Sequence, residues 1–190
     1  MNAGLTLLQP YPFERLATLL NPIEPALSPV IPLTVGEPQH PPPEGAVARL
    51  QEHALLVAKY PATQGRAQLR EAIARWLKSR FALPSVDPER HVLPLNGTRE
   101  GLFALAQAVV STHQAGAVIC PNPFYQIYEG AALLAGTQPL LLNCDERNGF
   151  LPDLDLVTAA QWQNCQLVYL CTPGNPGGAV MPSDQLQRLI

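Results

Sequence analysis

Four short segments combine residue types that bind charged or flat ligands. Asn96-Gly97-Thr98-Arg99-Glu100 follows an apolar stretch and opens a helical pattern. A glycine at a helix start leaves backbone N–H groups open, and the helix dipole makes that end positive. The segment therefore suits an anion such as a phosphate, with Thr98 adding a hydroxyl donor; the alternative is a helix start that binds nothing. Cys120-Pro121-Asn122-Pro123-Phe124-Tyr125 follows a second apolar run. The ring of Tyr125 would face the strand ends, where it can stack on a flat heterocycle or simply line a rim. In Thr172-Pro173-Gly174-Asn175-Pro176-Gly177-Gly178, prolines and glycines surround one asparagine. Such a turn can hold the Asn175 amide at the mouth of a sheet, ready to donate to an oxygen of a bound ring. Tyr60-Pro61-Ala62-Thr63-Gln64-Gly65 lies between two helical patterns. It can offer a phenol to a phosphate, or only join two helices.

The elements that must position these segments follow from hydrophobic spacing. Residues 45–59 carry Val47, Leu50, Leu55 and Val57, and residues 64–81 carry Leu69, Ile73, Trp76 and Leu77, so both predict helices. Helices are also expected over 98–111 and 125–135, and a short one over 154–160. Strands are expected over 92–95, 116–120, 139–143 and 166–171, and Ser183 is the expected N-cap of a last helix. Alternation of this kind predicts an α/β fold with a mainly parallel sheet flanked by helices. Ligands of open α/β sheets sit beyond the carboxyl ends of the strands, where three of the four segments fall. Ten of the 21 prolines lie within residues 10–43. Proline density of that order excludes a continuous helix or a central strand. The stretch predicts an extended arm with a helix over 13–20 and a strand over 31–35, laid over another domain or subunit.

Composition narrows the function classes. The 190 residues are 47% hydrophobic and 14% charged, with a formal net charge of −3. A phosphate-backbone binder should be basic, so nucleic acid is not an expected partner. No apolar run is long enough to span a membrane and no secretory leader pattern is visible, so a cytoplasmic protein is expected. Cys120, Cys144, Cys165 and Cys171 form no C-x-x-C pair, and His40, His53, His91 and His113 are scattered. No metal site is expected.

Together, in this order and at these intervals, the four segments resemble the class I/II aminotransferases of pyridoxal-phosphate fold type I. The resemblance extends from about Tyr11 onward. Its longest run is Pro121-Asn-Pro-Phe-Tyr-Gln-Ile-Tyr-Glu-Gly130 with Ala131-Ala-Leu-Leu-Ala-Gly136 behind it. With Tyr60-Pro-Ala-Thr63 and Gly149-Phe-Leu-Pro-Asp153, the chain is most similar to the N-succinyldiaminopimelate aminotransferases of bacterial lysine biosynthesis. The resemblance implies a three-layer fold with residues 1–43 as N-terminal arm and part of a small domain. Residues 44–190 become the first part of a large cofactor-binding domain, incomplete at its C-terminus. It implies pyridoxal 5'-phosphate as cofactor, a homodimer, and transfer of an amino group from glutamate to a keto acid of the N-succinyl-diaminopimelate type.

Roles carry over by position. Gly97, Thr98 and Arg99 match the cradle of the cofactor phosphate, Tyr125 the aromatic against the pyridine ring, and Asn175 the donor to its 3-oxygen. Tyr60 matches the tyrosine that reaches the partner subunit's phosphate, and Gly36, in Thr34-Val-Gly-Glu-Pro38, the glycine near the substrate carboxylate. Gly177 stands where the family commonly has threonine or serine. The family also needs a lysine that joins the cofactor as a Schiff base and shuttles a proton. The two lysines, Lys59 and Lys78, both precede the phosphate segment, so the resemblance puts that lysine beyond this chain and implies that residues 1–190 alone are inactive. The alternatives are another fold type I aminotransferase, a carbon–sulfur lyase, or a non-catalytic remnant of the fold.

Overall fold

The apolar run around Val118, Ile119 and Cys120 is the axis of the sheet. In this computed structural model, which describes the chain except for Leu27, Pro32, Val35, Thr112, Gln114 and Ala115, it forms strand β1, Ala117–Asn122. β1 pairs in parallel with β2, Pro139–Asn143, and with β3, Cys165–Val168, in the order β2-β1-β3. Ile119 stands beside Leu140 on one side and Val168 on the other. Parallel neighbours need crossover connections, and helices supply them. Among the described residues the helices are α1 (Pro12–Leu20), α2 (Glu44–Glu52), α3 (Ala67–Phe81), α4 (Thr98–Val109), α5 (Ile127–Leu134), α6 (Ala159–Gln163) and α7 (Ser183–Leu189).

The chain divides into two units, one of Met1–Tyr11 with Leu95–Ile190 and one of Pro12–Pro94. The first holds the sheet. Because successive strand residues point to opposite faces, Val118 and Cys120 meet Ala106 of α4 and Ala131 and Ala132 of α5, together with Tyr128 and Tyr169. Ile119 points the other way, to Leu142, Val157, Leu154 and Trp162. Helices thus cover both faces of the parallel sheet that the alternating pattern predicts, giving the three layers that the resemblance implies. α6 begins at a reciprocal cap: the Thr158 hydroxyl accepts from the Gln161 N–H, while Gln161 Oε1 accepts from the Thr158 N–H at 2.8 Å.

The second unit is helical. In α3, Arg70 and Ala74, four residues apart, face inward, and Ala82 ends the helix in the left-handed conformation at φ 51°.

Several local expectations change. The helix over 45–59 breaks at His53 into α2 and a 3-10 turn, Ala54–Ala58, with no buried side chain on either piece to hold one straight axis. Residues 92–95 pair with no strand among the described residues: Pro94 has no N–H for a ladder and packs beside Gly65. The strand over 31–35 includes Pro32 and Val35, outside the described residues, and Ile31, Leu33 and Thr34 belong to no strand. The helix over 154–160 is a 3-10 turn, Leu154–Leu156, followed by the cap and α6. Pro182, not Ser183, is the N-cap of α7, and Ser183 is its first helical residue. α5 starts at Ile127, so Tyr125 precedes it.

Candidate functional site

Parallel pairing puts the carboxyl ends of β1, β2 and β3 on one edge. Asn122 closes that edge on one side, its Nδ2 donating to Asn143 Oδ1 at 2.7 Å. Beyond it the chain delivers Tyr125, half-buried, whose ring meets Tyr128 edge-on with centroids 6.0 Å apart. Tyr128 stacks on Tyr169 at 4.5 Å, and the Tyr169 hydroxyl donates to the Leu102 carbonyl in α4 at 2.7 Å. This row of rings fixes the angle at which Tyr125 meets the sheet edge. Burial pushes the Tyr128 phenol up and takes Tyr169 up to about 12.

α4 starts beside Tyr125. Its N-cap is Gly97, at φ 142°, a backbone conformation that disfavours any side chain. A Cβ at residue 97 would also displace the Glu100 carboxylate, the movable end of an exposed side chain. The Gly97 carbonyl accepts from the Gly101 N–H at 3.1 Å, and no side chain caps the helix. Among the described residues the N–H groups of Thr98, Arg99 and Glu100 have no partner, as helix geometry requires of a first turn. Arg99 Nε donates to the Tyr125 hydroxyl at 2.9 Å, and that bond raises the pKa of the guanidinium, which stays charged. Open N–H groups, a helix dipole and a cation thus converge next to an aromatic ring, an arrangement that can hold an anionic group attached to a flat one.

The third segment arrives after β3. Its turn is closed by Gly174 N–H to the Ala179 carbonyl at 2.8 Å and Gly178 N–H to the Gly174 carbonyl at 2.7 Å. The Thr172 hydroxyl accepts from the Met181 N–H. Asn175 is exposed at the tip, and its amide makes no hydrogen bond among the described residues. It lines a small cavity of about 50 Å³ with Pro121, Pro123 and Cys171, so it stands at the same sheet edge as Tyr125. A larger cleft of about 560 Å³ opens between Trp162, Arg147 and Arg188, but its two arginines are paired with Asp145 and Asp155.

The structure therefore brings Gly97, Thr98, Arg99 and Tyr125 together and puts Asn175 on the same edge. Tyr60 and Gly36 belong to the second unit; Tyr60 is fully exposed, and a Cβ on Gly36 would meet nothing within 4 Å. Lys59 and Lys78 are exposed in that unit too. Sequence reasoning missed Tyr128 and Tyr169. The Tyr125-x-x-Tyr128 spacing was a usable signal for the first, while Tyr169 is hidden in an apolar run.

Residues 28–190 match the family model described as aminotransferase class I and II. The LL-diaminopimelate aminotransferase of Syntrophobacter fumaroxidans is 33% identical over 188 residues, 98% of this chain and 48% of that protein. The protein of the same name from Desulforudis audaxviator is 31% identical over 185 residues, 96% of this chain and 46% of that one. Among solved structures, an aminotransferase from Neisseria meningitidis superposes with a TM-score of 0.90 at 39% identity, covering 100% of this chain and 48% of that one. Aminotransferase AspB from Helicobacter pylori gives 0.87 at 34% identity, covering 96% and 47%. The chain spans about half the length of the curated relatives it matches.

Proposed function

The chain belongs to the class I and II aminotransferases, and from that premise we propose that it carries the cofactor cradle of an enzyme moving the amino group of glutamate to a keto acid of the N-succinyl-diaminopimelate type. The family works with pyridoxal 5'-phosphate. The observation that carries the reading is the junction of α4 with Tyr125 through Arg99 at the carboxyl edge of the sheet.

The residues present fit the cofactor. Its phosphate needs several donors, and the first turn of α4 offers N–H groups unpartnered among the described residues, beside a glycine against which only the movable Glu100 carboxylate lies. Its flat ring needs an aromatic face, which Tyr125 presents on a braced mount. Its ring oxygen needs a donor, and the Asn175 amide has no other partner among the described residues. When bound, the cofactor supplies an aldehyde and an electron-withdrawing ring for amino exchange.

In this reading the Thr98 and Arg99 N–H groups and the Thr98 hydroxyl hold the phosphate, and the Glu100 carboxylate turns away from Gly97 as the anion arrives. The Arg99 cation offsets the phosphate charge. Tyr125 orients the ring, and Asn175 fixes its tilt by donating to the 3-oxygen. Tyr60 donates its hydroxyl to the phosphate of the partner subunit in a homodimer, and Gly36 lies near the substrate carboxylate. Among the described residues none takes the proton-transfer role: Lys59 and Lys78 are solvated residues of the second unit. The setting is cytoplasmic; among the described residues no helix is long and apolar enough to cross a membrane.

The names of two relatives support a second reading, in which the keto acid is the unacylated diaminopimelate precursor. The full-length protein, assayed with glutamate and each keto acid, decides between them. We expect kcat/KM to favour the succinylated substrate by about tenfold or more, the scale on which one pocket discriminates related ligands. Preference for the unacylated acid selects the second reading, and turnover of neither refutes both.

A further inference from the structure

Arg70 is the one charged residue buried among those described, and its side chain is only 7% exposed. A buried guanidinium is costly unless its donors are used. Arg70 uses them to tie two segments of the second unit together. Nη1 donates to the carbonyls of Gln64 at 3.1 Å and Gly65 at 2.7 Å. Nη2 donates to Glu89 Oε1 at 2.5 Å. Nε has no partner among the described residues. Glu89 is itself held in a tight turn, its N–H donating to Asp87 Oδ1 at 2.8 Å and the His91 N–H to the Asp87 carbonyl at 2.9 Å.

The two carbonyls end the segment that begins at Tyr60. Gly65 is left-handed at φ 74°, donates to the Ala62 carbonyl at 2.8 Å, and has Pro94 so close that a Cβ would stand 3.0 Å from Pro94 Cγ. At the other end Tyr60 is fully exposed, with no hydrogen bond among the described residues. A short strap leading to a solvated phenol would sample many positions if its base were loose. Arg70 fixes that base with a planar fork that reaches two carbonyls and a carboxylate at once, a geometry lysine cannot reproduce.

We propose that Arg70 is a positioning residue for Tyr60: its clamp on the Gln64 and Gly65 carbonyls presets the loop that presents the Tyr60 hydroxyl. The inference rests on the reading of Tyr60 as a donor to the partner subunit's cofactor phosphate. Preorganisation of this kind raises affinity by lowering the ordering cost at binding.

The test is a double-mutant cycle on the full-length protein, with pyridoxal phosphate affinity of the apo form as readout. Tyr60→Phe should weaken binding about tenfold, the scale of one hydrogen bond to a charged group. Arg70→Lys should weaken it about fivefold in the wild-type background, within the range of pairwise coupling energies, and cause no further loss on top of Tyr60→Phe. A merely structural arginine would lower affinity by the same factor in both backgrounds, and that additivity overturns the proposal while leaving the Tyr60 reading intact. Wild-type affinity in Arg70→Lys also overturns it. Unchanged affinity in Tyr60→Phe removes the Tyr60 reading and the proposal with it. Should Arg70→Lys fail to fold, Glu89→Ala, at a side chain 59% exposed, releases the guanidinium from its anchor without opening the core. The same cycle with Tyr60→Phe then applies: loss only in the wild-type background supports the clamp, and equal loss in both backgrounds overturns it.

Discussion

Replacing Tyr125 separates the work of its ring from that of its hydroxyl. Tyr125→Ala removes the face proposed to lie against the cofactor and the edge contact with Tyr128 at 6.0 Å. Aromatic pairs contribute about 0.5–1.5 kcal/mol beyond area burial. At 1.4 kcal/mol per factor of ten, cofactor binding should weaken about 2- to 12-fold. Loss of the Tyr128 contact should take a similar about 0.5–1.5 kcal/mol from stability, because among the described residues Tyr169 is then the one ring stacked on Tyr128. Tyr125→Phe keeps both ring contacts and loses only the acceptor for Arg99 Nε at 2.9 Å. Arg99 is solvated, so water takes over that bond, and Phe should bind the cofactor within about twofold of wild type. The assay is titration of the apo full-length protein with pyridoxal phosphate, followed by tyrosine and tryptophan fluorescence, with thermal unfolding alongside. Unchanged affinity in Tyr125→Ala would refute the stacking argument. Equal losses in Phe and Ala would show that the hydroxyl and Arg99, not the ring, carry the interaction.

Gly97→Ala forces a side chain onto φ 142° and into the Glu100 carboxylate. We expect about 1–3 kcal/mol of destabilisation by urea unfolding together with weaker cofactor binding; a variant that folds and binds like wild type would contradict the cradle. Burial pushes the Cys120 thiol from 9.0 up to about 12 and the Tyr169 phenol from 10.0 up to about 12. Both groups ionise more readily once unfolded, so their contribution is complete below about pH 9 and is lost as pH rises toward 12. The urea midpoint should fall between pH 9 and 11, less steeply in Cys120→Ala, and a flat midpoint would contradict this. Residues 1–190 alone, given glutamate, a keto acid and excess cofactor, should show no transamination by coupled assay; turnover would assign chemistry to Lys59 or Lys78.

The layered fold was legible because its signals are local. Apolar runs ending at proline or asparagine mark β1 and β2, and the spacing of Leu69, Ile73, Trp76 and Leu77 marks α3. Elements went astray where local pattern met a tertiary demand. Residues 92–95 look like a strand, yet Pro94 lies against Gly65 and has no N–H for a ladder. Residues 45–59 look like one helix, yet no buried face keeps it straight past His53. In the candidate site, Gly97 and Tyr125 stand out as residue types next to strand ends, but their joining through Arg99 spans 26 positions and has no local signature. Tyr169 lies in an apolar run and Arg70 in a helix, and nothing in the local sequence marks the carbonyls that each holds.

We propose that the carboxyl edge of β1 and β3 and the first turn of α4 hold pyridoxal phosphate. A crystal structure of the full-length protein grown with the cofactor tests it most directly. The phosphate should lie within about 3.2 Å of the Thr98 and Arg99 N–H groups, with the ring against Tyr125 and the Asn175 amide donating to the ring oxygen. A cofactor bound elsewhere, or bound here with its phosphate turned away from α4, would contradict it.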